Sequence, residues 1–172
     1  PGELIEAKIR KIKKDYIRAA AVNILEPSPL RIIPECKYFK YCPGCTYAHA
    51  DYQLELDIKL DQLKHILRVE NQIHAADIAV AFSGKSENGV SPAKRNKIVL
   101  HAAKERGETV LGYVSGNGSV VDIDSCLAAN PEINAELAAM RNKAGFFHSL
   151  HDGMDVTFRY TENNGVLMWR NK

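Results

Sequence analysis

Cys36-Lys37-Tyr38-Phe39-Lys40-Tyr41-Cys42-Pro43-Gly44-Cys45 gathers three of the chain's four cysteines into one short stretch, and the fourth, Cys126, stands 81 positions beyond Cys45. The Cys-x2-Cys pair is the informative part. Two thiolates so spaced, bent around Pro43-Gly44, point at one metal centre from a single tight turn. Cys36 lies on the same loop, and Cys126 follows a predicted strand that folds back to complete a set of Cys36, Cys42, Cys45 and Cys126. Spacing alone leaves two kinds of site open. A structural zinc uses the same four thiolates, although zinc more often draws on two Cys-x2-Cys pairs, whereas a triplet plus one distant cysteine suits an iron–sulfur cluster. Disulfides are disfavoured in a reducing compartment, and a Pro-Gly turn is a poor place to bury a free thiol.

Upstream of this loop, Pro27, Pro29 and Pro34 exclude a sheet interior and set a boundary. Residues 1–33 predict two strands, one through Leu4, Ile5, Ala7 and Ile9 and one from Tyr16 to Leu25, joined by the basic turn Arg10-Lys11-Ile12-Lys13-Lys14-Asp15. Two strands do not bury a core by themselves. Downstream, Asp51 is an N-cap, and Tyr52, Leu56, Leu60, Leu63 and Leu67 recur at helical spacing. That stripe predicts a packed amphipathic helix. From residue 96 short strands take over: Lys97–Lys104 and Glu108–Val114 around Glu105-Arg106-Gly107, then Ser119–Asp124 after the turn Ser115-Gly116-Asn117-Gly118. Asn130-Pro131 caps and starts a helix to about Lys143, and strands near 154–161 and 166–170 close the pattern. The expected class is α+β: a partial OB-like β segment, the cysteine loop, a helix, and a small mixed sheet with helices.

The 172 residues are 45% apolar and 26% charged, a globular composition, and a net charge of +2 names no partner. Its distribution is more telling. Residues 8–18 carry Lys8, Arg10, Lys11, Lys13, Lys14 and Arg18 against Asp15 alone, a turn suited to tracking phosphates, with Tyr16 available for stacking. Most lysine runs are solvated surface, and that reading stands beside it. No apolar run approaches the roughly 18 residues of a membrane span, and no signal peptide opens the chain, so a cytoplasmic protein without membrane contact is expected. Pro1 in place of Met predicts processing or, in preference, a fragment whose first residues are absent. Within the loop, Phe39 is expected to cover the metal site, with Tyr38 and Tyr41 covering it or stacking on RNA bases. His148 and His151, one helical turn apart, read as surface residues.

Taken together, these residues resemble the RNA uracil-C5 methyltransferases that make 5-methyluridine in tRNA and rRNA, in their iron–sulfur-containing branch. Pro1-Gly2-Glu3, Lys11-Ile12-Lys13-Lys14-Asp15-Tyr16 and Leu25-Glu26-Pro27-Ser28-Pro29-Leu30-Arg31 resemble the second half of the family's TRAM domain, an OB-like RNA-binding barrel. The Cys36/Cys42/Cys45 loop with His49, Tyr52, Leu56 and Lys59 resembles its cluster loop and following helix. Arg95-Asn96-Lys97, Leu111-Gly112-Tyr113 and Val120-Val121-Asp122-Ile123 up to Cys126 resemble its central domain. Pro43, Ala48, Glu55 and Leu127 depart from the family's usual residues, and the four cysteines do not.

The resemblance implies a 4Fe–4S cluster on Cys36, Cys42, Cys45 and Cys126. It implies a TRAM part over 1–33 and an iron–sulfur-binding central domain over 34–172. RNA contacts are then expected from Lys11, Lys13, Lys14, Tyr16, Arg95, Asn96 and Lys97, and His49 is expected beside the cluster. The family binds S-adenosylmethionine and attacks the uracil ring from a further C-terminal domain, for which this sequence offers no counterpart. Gly112-x3-Gly116-x-Gly118 lies between strands and opens no helix, and the cluster claims every thiol. The chain stops at Trp169-Arg170-Asn171-Lys172, just after a strand. The implied identity is a monomeric RNA-recognition and iron–sulfur module, without catalytic residues and inactive alone. Its alternatives are a small iron–sulfur electron-transfer protein and a zinc-bound nucleic-acid-binding module.

Overall fold

A computed structural model describes residues 2–71 and 95–171; Pro1 and Lys172, at the outer limits of the two expected domains, lie outside the described residues. By internal contacts the chain divides into two units, one of residues 1–33 with 49–80 and one of residues 34–48 with 81–172.

The first unit opens with a hairpin of β1 (Leu4–Ile12) and β2 (Ile17–Glu26). The strands pair antiparallel with three register shifts, and the basic turn closes where Lys13 N–H donates to Tyr16 O at 2.9 Å. Bulges of this kind twist a two-stranded ribbon away from flatness. Between Pro29 and Pro34 the chain pairs with the entry to a helix: Ile32 N–H donates to His49 O, Asp51 N–H to Leu30 O, and Arg31 bridges Ala50. A fork of hydrogen bonds from Arg31 to Glu3, at 2.5 and 2.9 Å, ties that segment to the start of β1. Helix α1 (Tyr52–Asn71) begins as the sequence predicts, with Asp51 Oδ1 accepting from Gln53 N–H at 2.8 Å. Its stripe is not fully packed. Ala50 is the one buried residue among those described here; of the stripe, Leu63 is 45% exposed and the others are half-buried, and Ile66 beside it is 48% exposed. Helical spacing puts apolar residues on one face; it does not supply the surface that covers them.

The second unit carries the core. β3 (Lys97–Glu105) and β4 (Glu108–Val114) form a hairpin, and β5 (Val120–Asp122) pairs with β4. α2 (Pro131–Asn142) follows, then a single 3-10 turn at Phe147–Ser149, and finally β6 (Asp155–Thr161) and β7 (Gly165–Asn171). The order is β5-β4-β3-β6-β7, antiparallel throughout. The expected mixed sheet is thereby corrected: tight turns join three of the four neighbouring pairs, and a short turn admits only antiparallel partners. In the first turn Arg106 and Gly107 both have positive φ, 52° and 88°, which matches the right-handed strand twist.

Alternating residues of the sheet and the inner face of α2 form the core. Leu100, Leu111, Val156 and Phe158 meet Ile123, Ile133 and Leu137, each at most 1% exposed. Each such burial contributes about 1.5–3 kcal/mol. Asn130 caps α2 as predicted, its side chain accepting from Glu132 N–H, with Pro131 in the first turn. His148 and His151 are exposed, as the sequence reading placed them.

Candidate metal centre

Successive turns shape the cysteine loop within the second unit. Phe39 N–H donates to Cys36 O at 3.0 Å, and the N–H groups of Tyr41 and Cys42 both donate to Tyr38 O, at 2.9 and 2.8 Å. Cys36, Cys42 and Cys45 from this loop, and Cys126 from the segment after β5, line one pocket with about 350 Å3 of empty space, its open mouth included. The sequence-predicted set therefore comes together from segments far apart in the chain. All four cysteines are free of disulfides.

Each segment is held by named groups. The Asn134 side chain accepts from Cys126 N–H at 2.8 Å and donates to Cys126 O at 3.0 Å. The Tyr113 hydroxyl donates to Cys126 Sγ at 3.8 Å. On the loop side, Lys37 Nζ lies 2.6 Å from Asp124 Oδ2, and Asp124 N–H donates to the Tyr38 hydroxyl at 3.0 Å. Tyr38 also packs against the core and lines the pocket. Phe39, expected to cover the site, is not among the residues that line it; the rings that do are Tyr38 and Tyr113. Arg95 donates from its guanidinium to Gly44 O, and its backbone exchanges hydrogen bonds with Ala128 and Asn130.

The electrostatics follow from crowding thiols in a half-closed space. Burial pushes the Cys42 and Cys45 thiols up, and the neighbouring cysteines add to it. The Gly44 N–H and the Arg95 charge oppose this at Cys42, as does Arg95 at Cys45. Tyr113 is pushed up by burial and by Cys126, so its hydroxyl stays a donor. Asp124 is held down at about 2 by Lys37, with Tyr38 and Ser125 contributing.

Among the described residues, no three or more His, Cys, Asp or Glu side chains close on one point as ligands of a single metal ion. The pocket wall nevertheless carries four sulfurs and no carboxylate or imidazole. Such a set suits soft, thiolate-bound metals.

The expected RNA-contacting residues are all exposed. Lys11, Lys13, Lys14 and Tyr16 lie on or beside the hairpin turn, Asn96 precedes β3 and Lys97 opens it. Lys11 stands directly opposite Arg18, and the Arg18 guanidinium lies 5.6 Å from the centre of the Tyr16 ring. Arg95 is turned to the cysteine loop. His49 is half-buried in the first unit, its pKa lowered by burial and by Arg31. Sequence reasoning missed Asn134, Tyr113 and Asp124. The available signal for Asn134 was a side-chain amide in the first turn of a helix just behind a candidate ligand.

No family model matches the chain. Individual proteins do. It is 30% identical to an uncharacterized RNA methyltransferase of Chlorobaculum tepidum, over 98% of this chain and 39% of that protein. It is 29% identical to an uncharacterized RNA methyltransferase of Halalkalibacterium halodurans, over 98% of this chain and 38% of that protein. A 23S rRNA (uracil(1939)-C(5))-methyltransferase of a Marinomonas strain is 30% identical over 83% of this chain and 31% of its own length. The chain thus spans between 31% and 39% of the length of these relatives. Over nearly its whole length, this chain is homologous to proteins named as RNA methyltransferases, 23S rRNA uracil-C5 enzymes among them.

Proposed function

We propose that this chain is the RNA-recognition and iron–sulfur module of an S-adenosylmethionine-dependent RNA uracil-C5 methyltransferase acting on rRNA or tRNA. One observation carries the reading: four cysteines from two distant segments line a single pocket, in a chain whose relatives are RNA methyltransferases. Cys36, Cys42, Cys45 and Cys126 hold a 4Fe–4S cluster. When bound, that group cross-links the loop to the segment behind β5 and supplies a one-electron centre. Residues 1–33 act as part of a TRAM domain and 34–172 as the central domain. The module is monomeric, cytoplasmic and catalytically silent alone, because its thiols are cluster ligands and its parent binds S-adenosylmethionine elsewhere. No described helix is long and apolar enough to cross a membrane.

RNA meets the hairpin through Lys11, Lys13, Lys14 and Tyr16. The Lys11–Arg18 pairing supports this, since like charges directly opposite on a ribbon repel and an anion between them removes the cost. Asn96 and Lys97 add backbone contacts at the start of β3. Anaerobic purification with absorption spectroscopy and counts of iron, sulfide and zinc tests the cluster. Brown protein with about four irons supports it; colourless protein with one zinc overturns it in favour of a zinc-bound module. RNA titration at two salt concentrations separates an RNA module from an electron carrier, because phosphate contacts weaken with salt.

A further inference from the structure

Arg95 is exposed at the mouth of the thiol pocket, and its sequence context suggests a phosphate contact. Its bonding is of a different kind. Its backbone is fastened to the stretch behind the fourth cysteine: Arg95 N–H donates to Ala128 O at 2.6 Å, Asn130 N–H donates to Arg95 O at 2.9 Å, and Arg95 pairs with Ala129 as an isolated parallel bridge. That stretch is rigid, because Ala129 is buried and Asn130 caps α2. From this anchor the guanidinium reaches across the pocket to Gly44 O, at the turn between Cys42 and Cys45. The Arg95 Nη1 atom lies 3.5 Å from the place a Cβ on Gly44 would occupy, so the turn and the fork are in contact.

We propose that Arg95 is the positioning residue of the cysteine site, a clasp that holds the Cys42–Cys45 turn in register with the Cys126 segment and sets a positive charge beside the thiolates. The contact joins residues 51 positions apart in sequence and runs from one half of the four-cysteine set to the other. Hydrogen bonds from a charged donor are the stronger kind, and a planar fork fixes direction as well as distance. The lower edge of the loop has its own tether at Lys37, Tyr38 and Asp124. The clasp is a property of the polypeptide. Its effect on metal retention rests on the cluster reading above.

The test separates the two. Hydrogen exchange is measured on protein stripped of metal, comparing wild type with Arg95→Met, which keeps the apolar stem, and Arg95→Lys, which keeps the charge but not the fork. We expect amides 41–46 to exchange about tenfold faster in Arg95→Met, with Arg95→Lys between, while core amides such as Ala102 are unchanged. If Arg95→Met fails to fold, Arg95→Lys alone decides, by exchange faster than wild type at 41–46. Wild-type exchange at 41–46 overturns the clasp, and a weaker salt dependence of RNA binding in the same variant reassigns Arg95 to phosphate. On iron-loaded protein, Arg95→Met is expected to release iron to a chelator faster than wild type and to have a lower midpoint potential, with Arg95→Lys restoring the potential. Faster exchange in a protein that takes up no iron upholds the clasp and overturns the cluster.

Discussion

The Asn134 amide grips Cys126 on both sides of its backbone, taking the N–H at 2.8 Å and giving to the carbonyl at 3.0 Å. A residue in the first turn of α2 thus fixes the one candidate ligand that does not lie on the loop. Asn134→Ala leaves both groups of a largely buried peptide without these partners. The expected cost is about 1–3 kcal/mol, or roughly 2–4 °C of melting temperature per kcal/mol. Asn134→Asp keeps the acceptor and loses the donor, so it should fall between. Thermal melts of the two variants check the order.

Among the described residues, Gly112 is the glycine whose side-chain space is taken. A Cβ there would stand 1.7 Å from Val121 O and 2.7 Å from Val121 C, both backbone atoms of the neighbouring strand. Gly112→Ala must push β5 off β4 and so disturb the route to Cys126. We expect a loss of about 1–3 kcal/mol or more. Gly44→Ala meets only ordinary contacts, 3.4 Å to Cys42 Sγ and 3.5 Å to Arg95, and should be far milder. Denaturant unfolding of the pair reads the contrast.

Replacing Lys11, Lys13 and Lys14 together by Gln should lower the slope of log affinity against log salt by about 2, since each phosphate contact to single-stranded RNA contributes roughly 0.7. Affinity equal to wild type at both low and high salt would remove the hairpin from the interface.

The Arg31 fork holds the Glu3 carboxyl down at about 2, against an ordinary 4.5, with the Ser28 N–H adding to it. A lowered folded pKa gives stabilisation that is complete above the unfolded value and disappears as pH falls through the folded one. The Glu3–Arg31 pair should therefore stay intact from neutral pH to well below 4, and open near 2. Carbon-detected titration of the Glu3 carboxyl measures this directly, and a midpoint near 4.5 would refute it.

Much of the fold is legible locally. The Asn130-Pro131 cap, the Arg106-Gly107 turn and the alternating strands around Leu100 and Leu111 are decided by backbone preferences of a few neighbouring residues. The cysteine loop declares itself by residue type and spacing. What sequence did not reveal depends on partners far along the chain. Arg95 reads as an exposed charge until Gly44 stands beside it, and Asn134 as an unremarkable helical polar residue until Cys126 folds onto it. The α1 stripe marks the limit of periodicity: it identified a face and left open what covers it.

The distance in sequence between Cys45 and Cys126 has a consequence for assembly. Bringing together the ends of a chain of 81 residues costs roughly 4 kcal/mol of loop entropy. Here that closure is met by the polypeptide's own groups: Tyr38 and Lys37 on Asp124, and Arg95 on Gly44. The two segments that line the pocket are therefore brought together by the polypeptide itself, and on the proposed reading a cluster would be added to walls that folding has built. On that reading, retention of the cluster would depend on the sheet and α2 as much as on the thiols, and weakening either should loosen it without touching a sulfur.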